Sequence, residues 1–162
     1  GTTGLMAVAK SGYVHNLLRR SLHTDDFRRE YRGICDGVPQ APAGTIDLPI
    51  SRQPGSLLKR SIDPDGLPSR TEYEVLSVSH GRTLLRLRPI TGRTHQLRLH
   101  MAAIGHPLTG DWLYGAEDKA LITRPALHSY ELWLRHPLTK ELLHITAPLP
   151  EDIQRLLKEE RL

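Results

Sequence analysis

Cysteine occurs once in the 162 residues, at Cys35. A single cysteine excludes an intrachain disulfide and a cysteine-rich zinc site. It sits in an apolar stretch, which predicts a buried and inert thiol. No apolar run approaches the length of a membrane span. No secretory leader is visible, so the expected location is cytoplasmic. Internal repeats and low-complexity tracts are missing. There is no glycine-rich loop ending in Lys-Ser/Thr and no dinucleotide-binding fingerprint. The nine histidines lack a metal-ligand spacing; His95 and His100 are five residues apart, off-register for one helix face. Arg98 between them would also repel a cation. No serine sits in a nucleophile elbow, and the basic central segment offers no pair of carboxylates for hydrolysis.

The most informative shortage is of acid. Between Glu74 and Asp111 there is no aspartate or glutamate, but five arginines and four histidines. That segment carries +5 while the whole chain carries +4, so the remainder sums to −1. The positive field is therefore local, which suits phosphate or a buried carboxylate. The other reading is a solvated basic face, and turn chemistry combined with charge favours the anion site.

What fills this segment is a strand, a tight turn and a helix. Thr83, Leu85 and Leu87 alternate with Leu84, Arg86 and Arg88, the period of a strand. Pro89 and Gly92 punctuate it. Thr94 is the expected N-cap of a helix from His95 to about Ile104, stopped by Gly105 and Pro107. Leu97, Met101 and Ile104 share its core face. Arg93, His95 and Arg98 crowd the helix start, where the helix dipole disfavours cations. An anion is expected close by, with free backbone N–H groups adding to its site.

The rest of the chain reads as one domain, residues 1–162, long enough for a real core. Gly1 to Gly4 is a turn, and Leu5 to Ala9 is expected to form a strand buried on both faces. Ser11 caps a helix marked by Val14, Leu17, Leu18 and Leu22. Arg29 to Gly37 is a strand, with Tyr31, Gly33 and Cys35 on one face. Pattern alone places Tyr31 in the core rather than in a site. Gly33 leaves room for another group to approach closely. Gly44 to Ile50 is a strand with Pro49 arguing for an edge. Ser51 to Arg70 is a polar hairpin-like excursion. Its Arg52, Lys59, Arg60 and Arg70 either clamp a nucleic-acid backbone or simply face solvent.

Thr71–Ser79 and Arg82–Arg88 pair across a His80-Gly81 turn. In the turn-rich segment from Leu108 to Gly115, Asp111 and Tyr114 read as fold fasteners. Ala126–Arg135 and Glu141–Ala147 form another hairpin, and His128 is expected to be a satisfied core histidine. A last helix opens at Pro150 with Glu151 and Asp152 and ends with Lys158 and Arg161, the favourable polarity. Six to eight strands and three or four helices define an α+β fold.

Arg88-Pro89-Ile90-Thr91-Gly92-Arg93-Thr94-His95-Gln96-Leu97-Arg98-Leu99-His100, with Gly105-His106-Pro107-Leu108 and Gly110-Asp111, resembles the signature of RluA-type RNA pseudouridine synthases. Arg29-Glu30-Tyr31 with Gly37 resembles the family's tyrosine-bearing strand. Arg70-Thr71-Glu72-Tyr73-Glu74-Val75-Leu76 resembles the strand after its forefinger-like loop. The resemblance implies a mixed, largely antiparallel sheet with flanking helices and a central RNA cleft. It implies isomerisation of uridine in rRNA or tRNA, without a cofactor. Arg98 is then the ion-pair partner of a catalytic aspartate, and Tyr31 stacks on the flipped base and helps remove a proton. Arg93 and His95 then either fasten the turn or meet phosphate, and with Lys59 and Arg60 of the basic excursion they are the expected RNA contacts. The aspartate's motif ends in the segment matched by Thr2-Thr3-Gly4, so the residue itself is expected just ahead of Gly1. The 162-residue chain is accordingly expected to be inactive and to self-associate through the Leu5–Ala9 edge. A non-catalytic RNA-binding remnant and a purely structural fragment are the two competing readings.

Overall fold

The computed structural model describes all residues from Gly1 to Leu162. A seven-stranded sheet forms the centre. Its strands are β1 (Thr3–Gly4), β2 (Phe27–Asp36), β3 (Ala43–Asp47), β6 (Arg70–Ser79), β7 (Arg82–Pro89), β8 (Leu127–Arg135) and β9 (Leu142–Thr146). The spatial order is β1-β8-β2-β7-β6-β3. β1 and β9 share one edge of β8: β1 pairs in parallel with His128 and Ser129, β9 antiparallel with Glu131 to Arg135. All other pairings in the sheet are antiparallel. β4 (Ile50–Arg52) and β5 (Arg60–Ile62) form a separate hairpin.

Strand alternation divides the core between the two faces of this sheet. On one face Cys35, Leu85 and Leu87 pack with Leu97 and Met101 of helix α2 (Gln96–Ala103). On the other, Ile34 packs with Ile153 and Leu156 of helix α3 (Glu151–Glu160), and Leu84 joins them. Neighbouring residues Ile34 and Cys35 thus serve opposite cores. Burial pushes the Cys35 thiol up to about 12, so it stays protonated. Gly33 does admit close neighbours, but they are Leu87 and Leu108: a Cβ there would lie 2.9 and 3.3 Å from their side chains. His128 is buried and satisfied, with Nδ1 2.8 Å from Thr3 Oγ1 and Nε2 3.3 Å from the Ala147 carbonyl.

One expectation fails here. Leu5 to Ala9 forms no strand, and Met6 and Val8 are largely exposed. An apolar run forms a strand only where a neighbour can take its backbone bonds. Here β8 offers a partner to Thr3 and Gly4 alone, with one further bond from the Leu5 N–H to the Ser129 carbonyl. Helix α1 (Gly12–Ser21) is capped by the Ser11 hydroxyl as expected, but none of its residues is fully buried. Val14, Leu17 and Leu18 are half-buried.

Candidate active site

The turn between β7 and α2 is built by one side chain. Helix α2 begins at Gln96, and the residue before it is His95 in the left-handed conformation at φ 57°, with no side-chain cap. Thr94 is therefore not the N-cap. Gln96 replaces that function from inside the helix. Its Oε1 accepts the Arg93 N–H at 3.0 Å and the Thr91 hydroxyl at 2.7 Å. Its Nε2 donates to the Arg70 carbonyl at 2.8 Å and to Thr71 Oγ1 at 3.0 Å. Thr71 Oγ1 in turn lies 2.9 Å from His100 Nδ1, and His100 Nε2 lies 2.9 Å from the Leu48 carbonyl. With Nε2 carrying the hydrogen, every polar atom of this buried chain is satisfied. Burial lowers the His100 pKa, in keeping with a neutral ring. The far end of α2 closes in a Schellman arrangement: Gly105 at φ 86° donates to Ala102, and His106 to Met101.

This turn forms one wall of a cavity of about 280 Å³. Tyr31, Arg29 and Leu127 come from β2 and β8, and Arg93, His95 and Arg98 from the turn and helix; Gly1 and Thr2 line it as well. Tyr31 is half-buried and packs against the core cluster under α2. The structure thus brings together Tyr31, Arg93, His95 and Arg98. Lys59 and Arg60 lie instead on the β4–β5 hairpin. Arg60 and Arg93 share a second, adjoining cleft of about 480 Å³ with Arg52.

The anion that the helix start requires is Asp111. Its Oδ2 accepts Arg98 Nε at 2.7 Å and its Oδ1 accepts Arg98 Nη2 at 2.6 Å. The Asp111 side chain is wholly buried. Oδ1 also accepts the N–H groups of Leu113 and Tyr114, so Asp111 fastens both the loop and the arginine. Arg98 Nη1 takes part in neither bond to Asp111.

The local positive field is also smaller than the sequence implies. Arg86 pairs with Glu74, Arg88 with Glu72 at 3.5 Å, and Arg82 with Glu160 at 2.6 Å. Arg29 and Arg93 belong to none of the ion pairs. They are the cavity's unneutralised cations, and Arg93 Nε donates to the Pro68 carbonyl. His95 is not a third. Burial, with Arg98 and Arg60 close by, lowers its pKa, so at neutral pH it is an uncharged hydrogen-bonding ring. Sequence reasoning missed Arg29 as a wall residue and Gln96 as the turn's organiser. A glutamine at the first turn of the helix, directly after the Thr91–His95 turn, was the available signal for Gln96.

Comparison with known proteins bears directly on this cavity. The family model described as RNA pseudouridylate synthase matches residues 1–103, which include Tyr31, Arg93, His95 and Arg98. The chain is 41% identical over 159 residues to the uncharacterized RNA pseudouridine synthase YjbO of Bacillus subtilis, covering 98% of this chain and 56% of that protein. It is 40% identical over 169 residues to the ribosomal large subunit pseudouridine synthase D of Haemophilus influenzae, covering 96% of this chain and 52% of that one. The chain thus spans about half the length of these relatives. Among solved structures, human RNA pseudouridylate synthase domain containing 1 superposes with a TM-score of 0.72 at 26% identity, covering 95% of this chain and 74% of that chain. The α+β architecture, the turn that builds the cavity and the sequence match agree, and the chain belongs to the RNA pseudouridylate synthase family.

Proposed function

We propose that this chain is the core of the catalytic domain of an RNA pseudouridine synthase acting on uridines of rRNA or tRNA in the cytoplasm. The observation that carries the reading is the meeting of Tyr31, Arg93 and Arg98 on one cavity. In the reaction the bond from C1′ to N1 of uracil breaks, the base turns, and a bond from C1′ to C5 forms. The proton on C5 is then lost and N1, freed from C1′, gains one. The reaction is an isomerisation, so atoms balance without a co-reactant. The base must leave its stack to reach the cavity.

Each residue has a role in this reading. Tyr31 stacks on the extruded uracil and helps take the C5 proton. Arg98 holds the catalytic carboxylate ionised and oriented through the guanidinium hydrogens on Nη1 and Nη2 that its pair with Asp111 leaves over. In this reading that carboxylate lies ahead of Gly1, and Gly1 itself lines the cavity. Arg93 meets phosphate and His95 a polar RNA group, while Lys59 and Arg60 track the RNA backbone from the hairpin. The exposed Met6, Val8 and Tyr13 supply an apolar surface for self-association of the 162-residue chain.

The test is nucleoside analysis of uridine-containing rRNA and tRNA after incubation with the protein bearing its preceding segment. Pseudouridine, equal in mass to uridine but separable by chromatography, is expected. RNA binding with no conversion of either RNA would support a binding remnant and overturn the synthase reading.

A further inference from the structure

The β4–β5 hairpin stands outside the main sheet. One of its bonds to the body runs to a side chain: the Arg60 N–H donates to Tyr114 Oη at 2.9 Å. The same oxygen lies 3.0 Å from His95 Nδ1 on the cavity wall. A phenol has one proton, and its oxygen also accepts. Because Tyr114 Oη accepts the Arg60 N–H, its own proton can go to His95 Nδ1. The opposite assignment, with His95 Nδ1 donating, leaves the half-buried hydroxyl proton with no acceptor in the protein. Full satisfaction therefore puts the imidazole hydrogen on Nε2, the nitrogen Tyr114 does not touch.

Tyr114 is itself held firmly. Its N–H is bound by Asp111 Oδ1 at 3.2 Å. The Arg98 guanidinium stands 5.2 Å from its ring centroid, and the His95 ring meets it edge-on at 5.6 Å. The hydroxyl therefore has little freedom to seek other partners.

We propose that Tyr114 is a positioning residue whose single hydroxyl fixes both where the β4–β5 hairpin docks and which nitrogen of His95 carries hydrogen. His95 thereby presents an Nε2–H donor at the cavity, suited to a carbonyl oxygen such as those of uracil. Tyr114 Oη thus hydrogen-bonds both to the hairpin, which carries Lys59 and Arg60, and to the cavity wall. The role assigned toward uracil rests on the synthase reading; the link itself does not.

Two measurements on the protein without RNA test the link. Long-range proton–nitrogen NMR of the histidine rings is expected to show hydrogen on His95 Nε2 and an acceptor at Nδ1. Tyr114→Phe keeps the ring and removes the hydroxyl. It is expected to raise the exchange rate of the Arg60 amide about tenfold and to admit the Nδ1–H form of His95. Hydrogen on His95 Nδ1 in the unmodified protein overturns the proposal, even if the variant fails to fold. So does a folded Tyr114→Phe protein in which either readout is unchanged. In the isomerisation assay the variant is expected to raise KM for RNA through the hairpin and lower kcat through His95. Because the NMR readouts need no RNA, their failure is separable from a failure of the synthase reading.

Discussion

Asp111 grips Arg98 through both carboxylate oxygens, at 2.7 and 2.6 Å, from a wholly buried position. The basic helix start is thus answered from within the chain. The expectation that a residue ahead of Gly1 is what Arg98 exists to neutralise needs revision. Arg98 is first a structural ion pair, with both Nη1 hydrogens and the second Nη2 hydrogen left for a second carboxylate. Asp111→Ala strands a largely buried guanidinium and two backbone N–H groups. It is expected to cost about 3 kcal/mol, read as a lower denaturant midpoint at unchanged slope. A loss under about 0.5 kcal/mol, the scale of ordinary surface changes, would contradict this role.

Gln96 makes four hydrogen bonds while almost fully buried. Gln96→Ala leaves the Arg93 N–H and the Thr91 hydroxyl without their acceptor. The expected loss is about 2–4 kcal/mol. The β7–α2 turn loosens too, so amide exchange at Arg93 quickens. Gln96→Glu, with one acceptor group in place of the amide donor, is expected to restore only the Arg93 side.

Stability is expected to fall in mild acid. His95, His100 and His128 all have pKa values lowered by burial. The unfolded chain therefore binds protons first as pH drops through the ordinary imidazole value near 6.5. More protons on the unfolded side means stability rises with pH, is complete above that value, and is lost below it. Asp152, lowered by its pair with Arg124 against the opposing effect of burial, adds a second loss at more acid pH. Thermal melts are expected to show a lower Tm at about pH 5 than at about pH 7.5. A flat or rising trend would contradict the neutral assignment.

Lys59 and Arg60 are expected to act as charges on the RNA backbone. The double change to glutamine should weaken RNA binding. It should also make the slope of log K against log salt shallower by about 0.7 for each phosphate no longer neutralised. An unchanged slope would remove the hairpin from the RNA interface.

The elements most legible in the sequence are those specified by neighbours along the chain. The His80-Gly81 turn has both residues at positive φ, 48° and 77°, as its composition demands. β7 buries Thr83, Leu85 and Leu87 completely, following its alternation. Helix α3 carries acid at its start and Lys158 in its last turn. Features that depend on register were not legible. The pairings of Arg86 with Glu74 and Arg88 with Glu72 exist because β6 and β7 set those residues opposite each other. Arg98 and Asp111 are thirteen residues apart and meet only through the return loop after α2. Local propensity misplaced the helix cap on Thr94 because the Gln96 side chain, bonding back to the turn and across to β6, outweighed it. The strand expected over Leu5–Ala9 had the composition but lacked a partner.

The central claim is that the cavity walled by Tyr31 and Arg98 isomerises uridine. Tritium release from RNA labelled at uracil C5, measured with this chain extended at its N-terminus by the proposed aspartate-bearing segment, tests it directly, because C5 must exchange its hydrogen for the bond to C1′. Release is expected from the unmodified protein, with a loss of at least about a hundredfold, roughly the worth of one positioned proton-transfer group, in a folded Tyr31→Phe variant. Full release by that variant, or none by the unmodified protein on either rRNA or tRNA, would contradict it.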